Sequence, residues 1–187
     1  MKSTIIVNLF GGPGTGKSTG AAYIFSKIKM LGIDAEYVTE FAKDKVWEEC
    51  KTVFQNQFYI TGKQVHRIKR VFGKVDVIVT DSPICLGNIY CSADKPLLKQ
   101  AIIEEFNSYG DANVNVFLSR EKPYNPNGRN QSESEAKELD NTIKQMLVDN
   151  NIPFINATGT LAGYDTIVNN IKELYNIRLN SKEDGED

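Results

Sequence analysis

Gly11-Gly12-Pro13-Gly14-Thr15-Gly16-Lys17-Ser18, set directly after the apolar run Thr4–Phe10, decides the fold. The stretch fits the spacing G-x-x-x-x-G-K-[ST] at each fixed position. A glycine-rich turn between a strand and a helix points successive backbone N–H groups into one concavity, which can hold a polyphosphate. Lys17 is placed to reach the outer phosphates, and the Ser18 hydroxyl to ligate a divalent cation. Thr19 either adds a phosphate contact or helps to start the helix.

Outward from this turn the chain alternates between two periodicities. Thr4–Phe10 reads as a buried strand, and from Lys17 to Met30 the residues Ala21, Ile24, Phe25 and Ile28 recur on one helical side until Gly32. Ala35–Thr39 reads as a second strand, followed by helix from about Glu40 to Cys50. Phe54–Phe72 reads as one long helix or as two broken near Thr61-Gly62. Val75–Asp81 is a strand, Pro83 opposes immediate helix, and Pro96 suits the first turn of a helix reaching about Asn107. Val114–Leu118 is the next strand. A polar segment with Pro123, Pro126 and Gly128 reads as a loop. Helix from Glu133 to Asp149, strand at Phe154–Asn156 and helix from about Ala162 to Ile177 complete the pattern. This alternation predicts an α/β protein with an open parallel sheet covered on both faces.

The 187 residues suit one domain, 1–180, followed by a frayed acidic tail, 181–187. With 41% hydrophobic and 25% charged residues and a net charge of −2, the chain has no overall basic field for holding nucleic acid. No apolar run approaches the roughly 18 residues of a membrane span. Cys50, Cys85 and Cys91 lack zinc or CxxC spacing and His66 is the lone histidine, so a Cys/His metal site is not expected and a reduced, cytoplasmic setting is. The expected metal is Mg²⁺, brought with the nucleotide.

Asp81 ends an apolar parallel strand. It therefore emerges at the carboxyl edge of the sheet, where it can hold the Mg²⁺ water shell beside Ser18 or simply cap a loop. Glu40 and Asp44 follow the second strand at the same edge and suit contact with an acceptor, or with the start of their own helix. Arg120 precedes the polar segment and Arg129 lies within it; an arginine fork binds phosphate bidentately, so 120–133 reads as a lid or as an ordinary charged loop. Lys63, Arg67, Arg70 and Lys74 form a basic stripe, which is either an exposed helix face or, through Arg67, a substrate contact. Gln57 and Gln64 are candidate contacts to a polar substrate. Asn156-Ala157-Thr158-Gly159-Thr160 is placed to approach an adenine ring, chiefly at Ala157, or to be an ordinary turn.

Gly11–Ser18, Thr39-Glu40-Phe41-Ala42-Lys43-Asp44, Thr80-Asp81-Ser82-Pro83 and Gly128-Arg129-Asn130-Gln131, in that order, resemble small P-loop kinases. The nearest likeness is to the AAA-like ATPase/kinase group that includes nicotinamide riboside kinase domains and phage-encoded small kinases, and it covers about Lys2 to Leu174. The resemblance implies a three-layer sandwich with a five-stranded parallel sheet in order 2-3-1-4-5. It also implies ATP and Mg²⁺ as cofactors, Glu40 near the acceptor, Asp81 near metal and acceptor, and Arg120 and Arg129 on the ATP phosphates. The resulting expectation is a kinase acting on a small nucleoside, nucleotide or related metabolite. A polynucleotide or modified-base DNA kinase and a P-loop ATPase switch remain as alternatives. Nothing in the sequence sets the oligomeric state.

Overall fold

This computed structural model describes residues 2–121 and 132–183, the last two by backbone alone. Five parallel strands form one sheet in the order β2-β3-β1-β4-β5: β1 Ile5–Phe10, β2 Ala35–Val38, β3 Val77–Thr80, β4 Asn113–Ser119 and β5 Ile155–Thr158. The order is the one the resemblance implied. Six successive residues of β1 are buried, as a central strand covered on both faces requires.

Alternation along β1 divides its side chains between two cores. Ile5, Val7 and Leu9 face α1 (Lys17–Met30) and α7 (Leu161–Glu183), meeting Ile24, Ile28, Tyr164 and Ile167. Ile6 and Phe10 face the other layer, built from α3 (Gln57–Lys69), α5 (Pro96–Asn107) and α6 (Glu133–Asp149), with Ile68, Phe106 and Ile143. Asn8, 1% exposed on that same side, is satisfied by its neighbour strand: its Nδ2 donates to Asn113 Oδ1 at 2.9 Å and Asn115 Oδ1 at 3.0 Å. An unpaired amide there would be costly, so the contact favours this β1–β4 register over its alternatives.

Helix bounds follow local chemistry. Pro96 opens α5, and Ser132 with Glu135 forms a capping box at α6. The helix after β2 is shorter than its pattern suggests: α2 spans Phe41–Trp47 and gives way where Glu49 takes φ 53°. A 3₁₀ turn at Lys51–Gln55 follows, and α3 then runs unbroken through Thr61-Gly62 from Gln57 to Lys69. After Pro83 come a 3₁₀ turn at Ile84–Leu86 and the single-turn α4 (Gly87–Tyr90). β5 lies a residue or two later than expected, in register with Val116–Ser119. α7 continues beyond Ile177 to Glu183, so residues 181–183, expected in the tail, are helical. No helix among the described residues is long and apolar enough to cross a membrane.

Candidate active site

The turn between β1 and α1 is made possible by glycines: Gly11, Gly14 and Gly16 take φ of 136°, 87° and 96°, a region that other residues enter only with strain. Thr15 is buried and its Oγ1 donates to the Gly12 carbonyl at 3.0 Å, tightening the turn from within. The Tyr164 hydroxyl donates to the Gly16 carbonyl at 2.9 Å from α7. Ser18 is half-buried in the first turn of α1 and Thr19 is exposed. Lys17 folds back over the loop, donating to the carbonyls of Gly11 at 2.6 Å and Gly12 at 3.0 Å.

Two carboxylates face this ammonium across the carboxyl edge of the sheet. Asp81, the residue after β3, is 3% exposed, and its Oδ1 has no hydrogen-bond partner among the described residues. Glu40 is the residue before α2, in extended backbone. Burial pushes its carboxyl above the ordinary glutamate range, with Lys17 pulling down and Asp81 pushing up. Lys17 is itself held below the usual lysine range by burial, against the favourable fields of Glu40, Asp81 and Asp140. The Tyr37 phenol is pushed up by burial and by Asp81. A lysine and two acids thus share one partly dehydrated edge, where each charge acts strongly on the others. A buried carboxylate oxygen with no partner is the acceptor that a metal-bound water or a substrate hydroxyl needs, so Asp81, with Ser18 on the adjoining helix, fits a hydrated Mg²⁺.

The other expected substrate residues brace this edge. Arg67 Nη1 donates to the Thr39 carbonyl and Oγ1, both at 3.1 Å, while Nη2 pairs with Asp44. Its guanidinium lies 5.2 Å from the centre of the Phe41 ring. Gln64 Oε1 accepts the Phe41 N–H at 2.9 Å. Asp44, Gln64 and Arg67 therefore fasten α3 to the junction that presents Glu40, and Asp44 turns to Arg67 rather than to Glu40. Gln57 is buried and donates to Thr61 Oγ1 at 3.1 Å; a Cβ on Gly87 would come within 3.2 Å of its Nε2. Of the expected basic stripe, Lys63 sits 5.4 Å from the Tyr59 ring centre, but α3 ends at Lys69, so the exposed Arg70 caps the helix and the exposed Lys74 lies in the turn beyond it.

On the opposite side of the loop, Arg120 follows β4 and its Nη1 donates to the Pro13 carbonyl at 2.7 Å. Its Nη2 and Nε donate to Asp140 Oδ2 at 2.9 and 3.3 Å. Arg129 lies outside the described residues, as do residues 122–131 of the expected lid. Ala157 contributes its side chain to the core shared with α1 and α7, and its carbonyl accepts the Ser119 hydroxyl at 3.1 Å. Two residues later, Gly159 packs so closely under the loop that a Cβ would come 2.0 Å from the Thr15 carbonyl oxygen. Gly159→Ala is expected to cost about 1–3 kcal/mol through overpacking. Thermal unfolding checks this: the Tm falls by several degrees, whereas an unchanged Tm would show that the loop can give way.

Asp140 and Tyr164 escaped the sequence reading. Asp140 left a usable signal: it continues the buried row Ala136, Ile143, Leu147 on α6, where a carboxylate is out of place unless partnered. Tyr164 carried none, since an aromatic at a core position of a helix is ordinary.

A five-stranded parallel sheet in this order, with a glycine-rich phosphate loop after its central strand, defines the P-loop NTPase fold. Comparison with known proteins agrees. A profile described as AAA domain matches residues 6–162, and the chain belongs to that family. Among solved structures it is similar to deoxyadenosine kinase from M. mycoides with products dCMP and a flexible dCDP bound, at 21% identity and TM-score 0.51, covering 95% of this chain and 100% of that one. The same enzyme with bound dATP matches at 18% identity and TM-score 0.51, over 90% of this chain and 99% of that one. Shikimate kinase from Bacteroides thetaiotaomicron matches at 15% identity and TM-score 0.48, over 91% and 97%. No curated protein matches the chain.

Proposed function

We propose that this protein is an ATP-dependent kinase that moves the γ-phosphoryl group onto a small nucleoside, nucleotide or related metabolite. The observation that carries the proposal is the buried Asp81 oxygen left without a partner among the described residues, at the sheet edge where Glu40 also emerges and where both acids act on Lys17. Two acids at this edge suit two tasks, one holding the metal water shell and one receiving the acceptor's proton. The deoxyadenosine kinase that shares the fold supports the reading, and so does the resemblance to riboside kinase domains.

In this reading the residues of Gly11–Ser18 bind the triphosphate through their backbone N–H groups, with Thr19 beside them, and Lys17 leaves its own loop carbonyls for the outer phosphates. Ser18 and Asp81 hold Mg²⁺, which when bound neutralises charge on the phosphate oxygens. Arg120 stands at the loop to meet the same charge, and Arg129 is assigned to it from the lid. The end of β5 at Ala157 and the turn after it at Gly159 are assigned to the adenine. Glu40 accepts the proton of an acceptor hydroxyl as its oxygen bonds to phosphorus and the bond to the leaving ADP oxygen breaks. Asp44, Gln64 and Arg67 keep Glu40 in place, and Gln57 faces the acceptor.

The test is a panel of acceptors given γ-labelled ATP: nucleosides, nucleoside monophosphates, nicotinamide riboside, and DNA 5′ ends. Label on one of the small molecules and not on DNA is the expected result. Label on DNA alone would replace this reading with a polynucleotide kinase.

A further inference from the structure

A buried ion pair grips the phosphate loop. The side chains of Arg120 and Asp140 are 10% and 16% exposed, and each oxygen of Asp140 has its own task. Oδ1 accepts the Gly12 N–H at 2.5 Å, while Oδ2 accepts from Arg120. Arg120 in turn donates to the Pro13 carbonyl at 2.7 Å and to that of Ala136 at 3.5 Å. Because a peptide unit is planar and trans, turning the Pro13 carbonyl toward Arg120 points the Gly14 N–H the opposite way. The loop reaches α6 closely only because Gly12 lacks a side chain: a Cβ there would lie 2.7 Å from Asp140 Oδ1 and 2.8 Å from the Ala136 carbonyl oxygen. A buried pair of this kind is seldom worth more than well-packed apolar residues, so stability alone is a poor reason for it.

We propose that Asp140 is a positioning residue for nucleotide binding: with Arg120 it forms one clasp that sets the peptide orientations of Gly12–Gly14 and holds the guanidinium at the loop. The proposal rests on the nucleotide-binding half of the proposed function and is independent of the acceptor.

The experiment is calorimetric titration of the full chain with ATP and Mg²⁺, for wild type, Arg120→Ala, Asp140→Ala, the double variant and Asp140→Asn. Each alanine substitution is expected to weaken ATP roughly tenfold, the scale of one charged hydrogen bond. The double variant should lose little more than either single one, because both remove the same unit. Asp140→Asn, which keeps an oxygen for Gly12 but not the charge for Arg120, should resemble Arg120→Ala. Losses that multiply to roughly a hundredfold, or an Asp140→Ala variant that binds like wild type, would overturn the clasp. The Gly12 amide resonance of ¹⁵N-glycine-labelled protein without nucleotide gives a second reading that also reports folding. It should move in Asp140→Ala while distant glycines stay, and an unmoved Gly12 amide would refute the clasp. Failure of the wild-type chain to bind ATP would instead refute the kinase reading.

Discussion

Replacing Lys17 with alanine is expected to lower phosphoryl transfer by roughly 10²-fold or more, the scale of losing one preorganised charge at a reacting phosphate. The ammonium is bonded to the loop carbonyls of Gly11 and Gly12 and lies within the electrostatic reach of the Glu40 and Asp81 carboxylates. A neutral side chain leaves the charge that develops on the transferring group opposed by fewer positive groups, and leaves the two acids to repel the triphosphate. Folding should survive the change. Burial holds the Lys17 ammonium below its usual range, which means that keeping it charged in the folded state costs stability. The Tm of Lys17→Ala is therefore expected to equal or exceed that of wild type, and a large fall in Tm would point to a structural role instead. Steady-state kinetics beside thermal unfolding distinguishes the two.

Glu40→Gln is the second large effect, with kcat expected to fall by about 10²–10⁴-fold and ATP affinity by little. Its pH behaviour provides the sharper signature. Burial raises the Glu40 carboxyl of the free protein above the ordinary glutamate range, so the wild-type kcat/KM should climb with pH through that raised value as the base ionises. The glutamine variant should lack this limb. The sign for stability is opposite. A carboxyl whose folded pKa lies above its unfolded one holds its proton more tightly in the folded state, so its favourable contribution is present at low pH and lost as pH rises through the folded value. Glu40→Gln is accordingly expected to gain Tm relative to wild type as pH is raised from the ordinary carboxylate range toward neutrality. A wild-type profile shared by Glu40→Gln would show that another group accepts the proton.

The phosphate loop was legible because its chemistry is local: eight consecutive residues carry the turn, the lysine and the hydroxyl. The same holds for α1 and α6, whose bounds match the expected Lys17–Met30 and Glu133–Asp149 because the apolar periodicity lies within each segment. Asp81 could be placed at the carboxyl edge from the apolar strand that ends in it. What was not legible depends on residues far apart in the chain. Arg67 and Asp44 were each read as facing a substrate, yet they meet one another across the junction of α2 and α3. The contact of Gly12 with Asp140 spans 128 residues and follows from sheet order, which brings α6 behind the loop. The end of α2 at Trp47, just before Glu49 takes a positive φ, is set by turn geometry, which periodicity does not carry.

The most direct test of the central claim follows the γ-phosphate itself: incubation with γ-labelled ATP, Mg²⁺ and a mixture of nucleosides and nucleotides, with Lys17→Ala as control. The account predicts label on an organic acceptor with the wild-type chain and none with the variant. Label recovered only as inorganic phosphate, or equal transfer by the variant, would contradict it.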